Sequence, residues 1–177
     1  MNTFTKGLSV LALSIIGLST ESFAQTGVNT TATASATIVT PISILKTTDL
    51  NFGNVAVNAT AGTVLLDAIG GTPTTTPTGG VTLPTAAGNA RTAAAFTVSG
   101  QPSYTYAITL PGSPTTLTGA SGGQMTVNLW TSLPSATGTI GGGGTQTLYV
   151  GATLNVTGGQ TSGLYTGAPF TVSVNYN

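Results

Sequence analysis

Beyond residue 24 the chain carries only four charged side chains, Lys46, Asp49, Asp67 and Arg91, and these set the limits of its chemistry. General acid–base catalysis needs titratable groups within hydrogen-bond reach of one another, and Asp49 with Asp67 is the one carboxylate pair on offer. Their neighbours point to turns instead: Asp49 stands just before the apolar stretch Leu50–Phe52, and Asp67 closes the run Val64–Leu66. With no histidine and no cysteine, thiol catalysis, thiolate metal sites and disulfides are excluded together. Serine and threonine are plentiful, yet a hydroxyl with no base beside it is a weak nucleophile. Two scattered acids also fall short of the roughly six to eight oxygens that calcium takes. The run Gly141–Gly144 is followed by Thr145 and Gln146 rather than the lysine and hydroxyl pair of a phosphate loop, and reads as a flexible hairpin loop. The expectation is a non-enzymatic protein with no catalytic, metal or cofactor-binding residues.

Aromatic rings leave one other kind of chemistry open, stacking on a ligand. Met125, Val127 and Leu129 define the apolar face of one stretch, so by parity Trp130 points away from it. Tyr149, between Leu148 and Val150, points outward in the same way. An outward Trp130 and Tyr149 can stack on sugar rings or anchor a partner. Trp130 can equally lie under a loop, or turn inward where its strand has ended.

The elements that must hold these residues are strands. Apolar residues recur at every second position in Phe96–Val98, Tyr104–Leu110, Met125–Leu129 and, longest of all, Leu148–Val156, and no stretch shows helical periodicity. Phe52 in Asp49–Val57 is expected to be buried, with Gly53 giving a bend. Pro73, Pro77 and paired glycines mark Thr72–Gly80 as a loop. The closing stretch again alternates, Phe170, Val172, Val174 and Tyr176 against Thr171, Ser173, Asn175 and Asn177. Short strands with glycine-rich turns and no helices predict an all-β, immunoglobulin-like antiparallel β-sandwich. A transmembrane barrel is the rival, but these strands are mostly short and the aromatics too few for two girdles.

Export is written at the start of the chain. Lys6, the apolar run Leu8–Leu18, and small Ser22 and Ala24 ahead of Gln25 make residues 1–24 a secretory signal peptide. Such an eleven-residue run is well short of the roughly 20 needed to span a bilayer, so the mature chain is not expected to insert in a membrane. The protein then passes the periplasm to the cell surface or the exterior. Charge in the whole sequence is 3% of residues and sums to zero. No basic patch exists to neutralise phosphates, so nucleic acid is excluded as a partner.

Three stretches carry a resemblance: LNFGNV at Leu50–Val55, GATLNVTGGQ at Gly151–Gln160 and GLYTGAPFTVSVNYN at Gly163–Asn177. Together they resemble a family of small secreted bacterial proteins catalogued as a domain of unknown function. The order of leader, LNFG, YAITL and terminal glycine, tyrosine and valines is similar to spore coat protein U and, more distantly, to subunits of chaperone–usher pili. In pilins a sandwich lacking its last strand is completed by a periplasmic chaperone and then by the next subunit's N-terminal extension. The resemblance thus implies that Phe170, Val172, Val174 and Tyr176 form one wall of an assembly groove in a pilin-like sandwich over residues 37–177. It also implies a donor strand in the extension, residues 25–36, with Val28, Ala32, Ala34 and Ala36 as its apolar residues. The chain departs from the pilin pattern in having no disulfide and a donor made mostly of alanines. Alternatively, Ala32–Ile44 is the domain's own first strand, completing the sheet from within.

Either way the chain has few charges to guard open strand edges, so identical copies can approach. The expected function is a structural subunit, pilus-like or coat-like, that associates with itself by strand addition, escorted in one reading by a periplasmic chaperone. The alternative is an extracellular binding module or adhesin that recognises a glycan or surface partner through Trp130 and Tyr149.

Overall fold

A computed structural model of the chain describes residues 27–85 and 89–177. The signal peptide assigned to residues 1–24 lies outside the described residues, as do Gln25 and Thr26. The chain divides between Thr37 and Ile38. In the first unit, Gly27–Thr37 forms no strand, and Val28, Ala32, Ala34 and Ala36 are exposed.

The second unit is all-β. Its strands run β1 (Ser43–Thr48), β2 (Ala56–Leu66), β3 (Thr75–Thr82), β4 (Ala94–Ser99), β5 (Thr105–Thr109) and β6 (Thr115–Gly119). They continue with β7 (Gln124–Leu133), β8 (Thr137–Thr139), β9 (Thr145–Val156), β10 (Tyr165–Gly167) and β11 (Ser173–Tyr176). All pairings are antiparallel. An eight-stranded sheet follows the order β1-β4-β9-β7-β6-β10, with β2 also pairing β9 and β3 beyond it. A second sheet has the order β11-β5-β8. The expected β-sandwich is present, its sheets curling into a half-barrel. No helix among the described residues is long and apolar enough to cross a membrane.

Strand β9 organises the whole. Its alternating Leu148, Val150, Ala152, Leu154 and Val156 are all buried, as the sequence period requires. The first half pairs with β4, from Thr145↔Ser99 to Val150↔Ala94, and the second with β2, from Ala152↔Leu66 to Val156↔Gly62. Gly151 sits at the changeover, where a Cβ would collide with the Leu66 carbonyl oxygen, so only glycine lets the two backbones approach. Two apolar clusters result. One gathers Phe52, Val64, Leu66, Val127 and Leu154. The other gathers Phe96, Val98, Tyr106, Leu148 and Val150. Burying each such aliphatic side chain contributes about 1.5–3 kcal/mol.

Several sequence expectations are corrected. Ala32–Ile44 is not one strand: the strand begins at Ser43, after Pro41, which has no ladder donor, and after a run whose alanine methyls gain little by burial. The stretch Thr72–Gly80 is not simply a loop, because β3 runs through Pro77. The ring is tolerated there because β3 is an edge strand whose one partner is β2. Gly141–Gly144 does make a tight turn, closed by Gly144 N–H to Gly141 O at 2.9 Å. It joins β8 and β9 in different sheets rather than one hairpin.

Candidate functional site

The terminal strand answers a backbone question first. Strand β11 pairs with β5 through Ser173↔Thr109, Val174↔Ile108, Asn175↔Ala107 and Tyr176↔Tyr106. Asn177 N–H donates to Thr105 O at 3.3 Å, so Asn177 faces β5. Main-chain groups alternate sides along an antiparallel strand, which puts those of Asn175 and Ser173 toward β5 and those of Val174 and Tyr176 toward the other edge. Ile108 N–H bonding to Ala136 O, on the far side of β5, fits the same alternation. No further strand pairs with that edge among the described residues.

The side chains hold β11 in place. Phe170, Val172, Val174 and Tyr176 all pack on the second apolar cluster while the residues between them are exposed, although the strand itself begins only at Ser173. The Tyr176 hydroxyl accepts from Gln101 N–H at 2.6 Å and donates to Thr40 O at 2.7 Å, tying the chain's end to two distant segments. Its ring meets Tyr104 edge-on, centroids 5.7 Å apart. A methyl group at Gly100 would collide with that hydroxyl.

Trp130 does not point outward as its parity predicts. Between the pairs Asn128↔Thr153 and Thr131↔Gly151, β7 spends one residue more than β9, which is a β-bulge. Leu129 takes a left-handed φ of 50° and is 70% exposed, while Trp130 takes the inward place and packs against both clusters. Its ring lies 4.5 Å from that of Phe170. Together they wall a cavity of about 1090 Å³ on the inner side of the half-barrel, lined by Phe52, Phe96, Leu117, Met125 and Leu154 among others. Tyr149 is elsewhere. It alternates with buried Leu148 and Val150, stands opposite Leu133 and Ala95, and lies against Gly70. The two aromatics therefore do not form one surface.

With this geometry in hand, the profile described as Domain of unknown function (DUF4402) matches residues 42–176. The chain belongs to the DUF4402 family. No curated protein and no solved structure matches it. The DUF4402 domain begins at Ile42, one residue ahead of β1, and ends at Tyr176, the last residue of β11. It contains the open edge and the Trp130 cavity, and it leaves out Val28, Ala32, Ala34 and Ala36.

Charged residues of the DUF4402 domain sit in local structural contacts. Lys46, within β1, pairs at 2.5 Å with Asp49, which stands just after that strand, and both are well exposed. Asp67 sits in the turn between β2 and β3, its N–H bonded to Thr74 O and its carbonyl accepting from Ile69 N–H. Arg91 Nη2 donates to Pro84 O at 3.0 Å. Among the described residues no three acids or imidazoles cluster as metal ligands. Burial pushes the Tyr106 phenol above its ordinary value of 10.0, and its hydroxyl donates to Gln146 Oε1 at 2.7 Å. The same oxygen accepts from Thr139 N–H at 2.9 Å. Sequence reasoning did not find this role of Gln146, since no local pattern announces a polar contact between residues so far apart.

Proposed function

We propose that the protein is an exported, non-enzymatic structural subunit of the bacterial surface, pilus-like or coat-like, which associates with copies of itself by strand addition along β11. The observation that carries this reading is the outer edge of β11, where the main-chain groups of Val174 and Tyr176 face away from β5. Comparison with the other edges strengthens it. Strand β1 carries Lys46, β3 carries Pro77, and β8 and β10 have three residues each. A charge, a proline or brevity guards each of them, whereas β11, with four residues, carries neither charge nor proline and is held in place by its apolar face. The likeness of the sequence to spore coat protein U and pilin subunits points the same way. An added strand gains ladder hydrogen bonds here, with the segment containing Val28, Ala32, Ala34 and Ala36 as one source and a periplasmic chaperone as a first partner. Recognition of glycans by an outward Trp130 and Tyr149 finds no support, because the two rings lie in different places.

The test is assembly of the full chain, followed by size-exclusion chromatography and electron microscopy. Wild type forms oligomers or fibres as concentration rises. Asn175→Lys places a charge on the exposed face of β11 without touching the core, and should leave a folded monomer. Deleting Thr26–Ala36 should do likewise if that segment is the donor. A wild-type protein that stays monomeric at millimolar concentration refutes the reading, and so does an Asn175→Lys protein that assembles unchanged.

A further inference from the structure

The outer face of the larger sheet carries apolar side chains that neither the edge of β11 nor the cavity uses. With Leu148, Val150, Ala152 and Leu154 turned inward, Tyr149, Gly151 and Thr153 of β9 turn outward. Residues paired across strands share a face, and Leu65 pairs with Thr153 while Leu133 pairs with Tyr149. Both leucines therefore stand on the outer face, and both are exposed. Leu129, turned outward by the bulge, joins them next to Asn128, which also pairs with Thr153. Exposed Ile69 is carried over the same face by the turn after β2, because a Cβ on Gly151 would meet the Asp67 and Ala68 backbone, and one on Gly70 the Tyr149 ring. No outward strand residue is charged. The one charge within a strand is Lys46, which pairs with Phe96 of the inner face.

The register makes this face complementary to itself. Leu65 on one flank of β9 and Leu129 on the other stand level with the same residue, Thr153. A twofold axis laid along β9, between two facing copies, carries each flank over the other flank of the partner, so that Leu129 meets the partner's Leu65, and the contact occurs twice. Thr131 is level with Gly151 and stands between Leu129 and Leu133, leaving a notch where the partner's Asp67–Gly70 turn crosses. The protein has a formal net charge of zero, so nothing in the face or the whole sets two copies apart. We propose that the protein pairs with a second copy of itself through this outer face, β9 against β9. The curled sheet is convex on this side, which confines contact to β9 and one strand on each flank. The 12 residues of β9 run about 40 Å and three strands span about 14 Å, or about 600 Å² per copy. The pair then buries about 1,200 Å², the lower limit of stable interfaces, so the dimer dissociates on dilution.

Sedimentation velocity of the full chain carrying Asn175→Lys tests this face alone, because the charge on β11 opposes strand addition and the two modes of association then fail separately. The protein should be monomeric when dilute and pass to a dimer, and no further, as concentration rises through the micromolar range. About 1 M salt should not dissociate it, since no charge pair holds it. Added to that background, Leu129→Asn and Leu65→Thr should each weaken dimerisation at least about tenfold. Combined, they should weaken it by less than the product of their separate effects, because the two side chains meet. Asparagine accepts the left-handed φ of residue 129 and threonine suits a strand, so both variants should fold, which urea unfolding checks. Leu164→Asn, at an exposed leucine in the segment before β10, should leave the dimer unchanged. A protein that stays monomeric at millimolar concentration overturns the proposal, and does so equally if it binds phosphatidylcholine vesicles, the other occupant open to an uncharged apolar face. Dimers that survive both Leu129→Asn and Leu65→Thr overturn it as well. Strict additivity of the two overturns the twofold along β9, since the leucines would then lie apart.

Discussion

Replacing Tyr176 with phenylalanine removes one oxygen and tests whether the chain's end is fixed by it. The ring and its edge-on contact with Tyr104 survive, so the change isolates two hydrogen bonds, from Gln101 N–H and to Thr40 O. They are unequal. Gln101 N–H is half-buried and loses its partner, which costs about 1–2 kcal/mol, whereas the exposed Thr40 carbonyl recovers a water bond and costs about 0.5 kcal/mol. The sum is about 2 kcal/mol, or a fall in Tm of about 6–10 °C for a domain of this size. Urea unfolding of wild type and Tyr176→Phe, with Tyr104→Phe as control, measures it. Tyr104 is 45% exposed, and removal of its hydroxyl should cost less than about 0.5 kcal/mol. If Tyr176→Phe matches that control, the hydroxyl does not anchor β11, and another contact must hold the strand's outer edge in position.

Two further outcomes follow from the packing. Gly151→Ala should destabilise the domain by more than about 2 kcal/mol in denaturant unfolding, since its methyl would strike the Leu66 carbonyl and the Ala68 backbone, neither of which can swing away. Tyr106 is wholly buried with its pKa raised, so the folded chain keeps the phenol proton after the unfolded chain releases it. Stability is fully present below about pH 10 and falls as pH rises toward the folded-state pKa; Tyr106→Phe should flatten that alkaline loss in urea midpoints measured across it.

Legibility in the sequence depended on whether a feature is local. The alternation of Leu148–Val156 announced β9 because every second residue is an apolar side chain and all five are buried. The closing segment was legible for the same reason, down to the exposure of Thr171, Ser173, Asn175 and Asn177. Pro77 misled, because a missing N–H forbids a central strand but not the outer side of β3. The partner of β11 was not legible at all: Tyr106–Thr109 lies more than 60 residues away, and nothing in either segment names the other. Of the site, the inward apolar face of Phe170, Val172, Val174 and Tyr176 could be read from sequence, but the cavity could not. Its lining comes from β4, β6, β7, β9 and the segments Asp49–Val57 and Gln160–Phe170, which lie far apart in sequence.

The bulge in β7 links the two candidate surfaces. A regular strand would place Leu129 inside and Trp130 outside, which is how the period of two reads. The extra residue between Asn128 and Thr131 reverses them, at the cost of a left-handed leucine that no local sequence signal favours. In exchange the largest ring in the chain reaches both apolar clusters and stacks beside Phe170, three residues ahead of β11. The cavity and the open edge therefore share one structural member. Trp130 and Phe170 wall the same space, so the root of the terminal strand is set by packing inside the half-barrel as much as by its ladder to β5. Backbone strain persists where the surroundings over-determine it, and at Leu129 the surroundings are the Trp130–Phe170 wall.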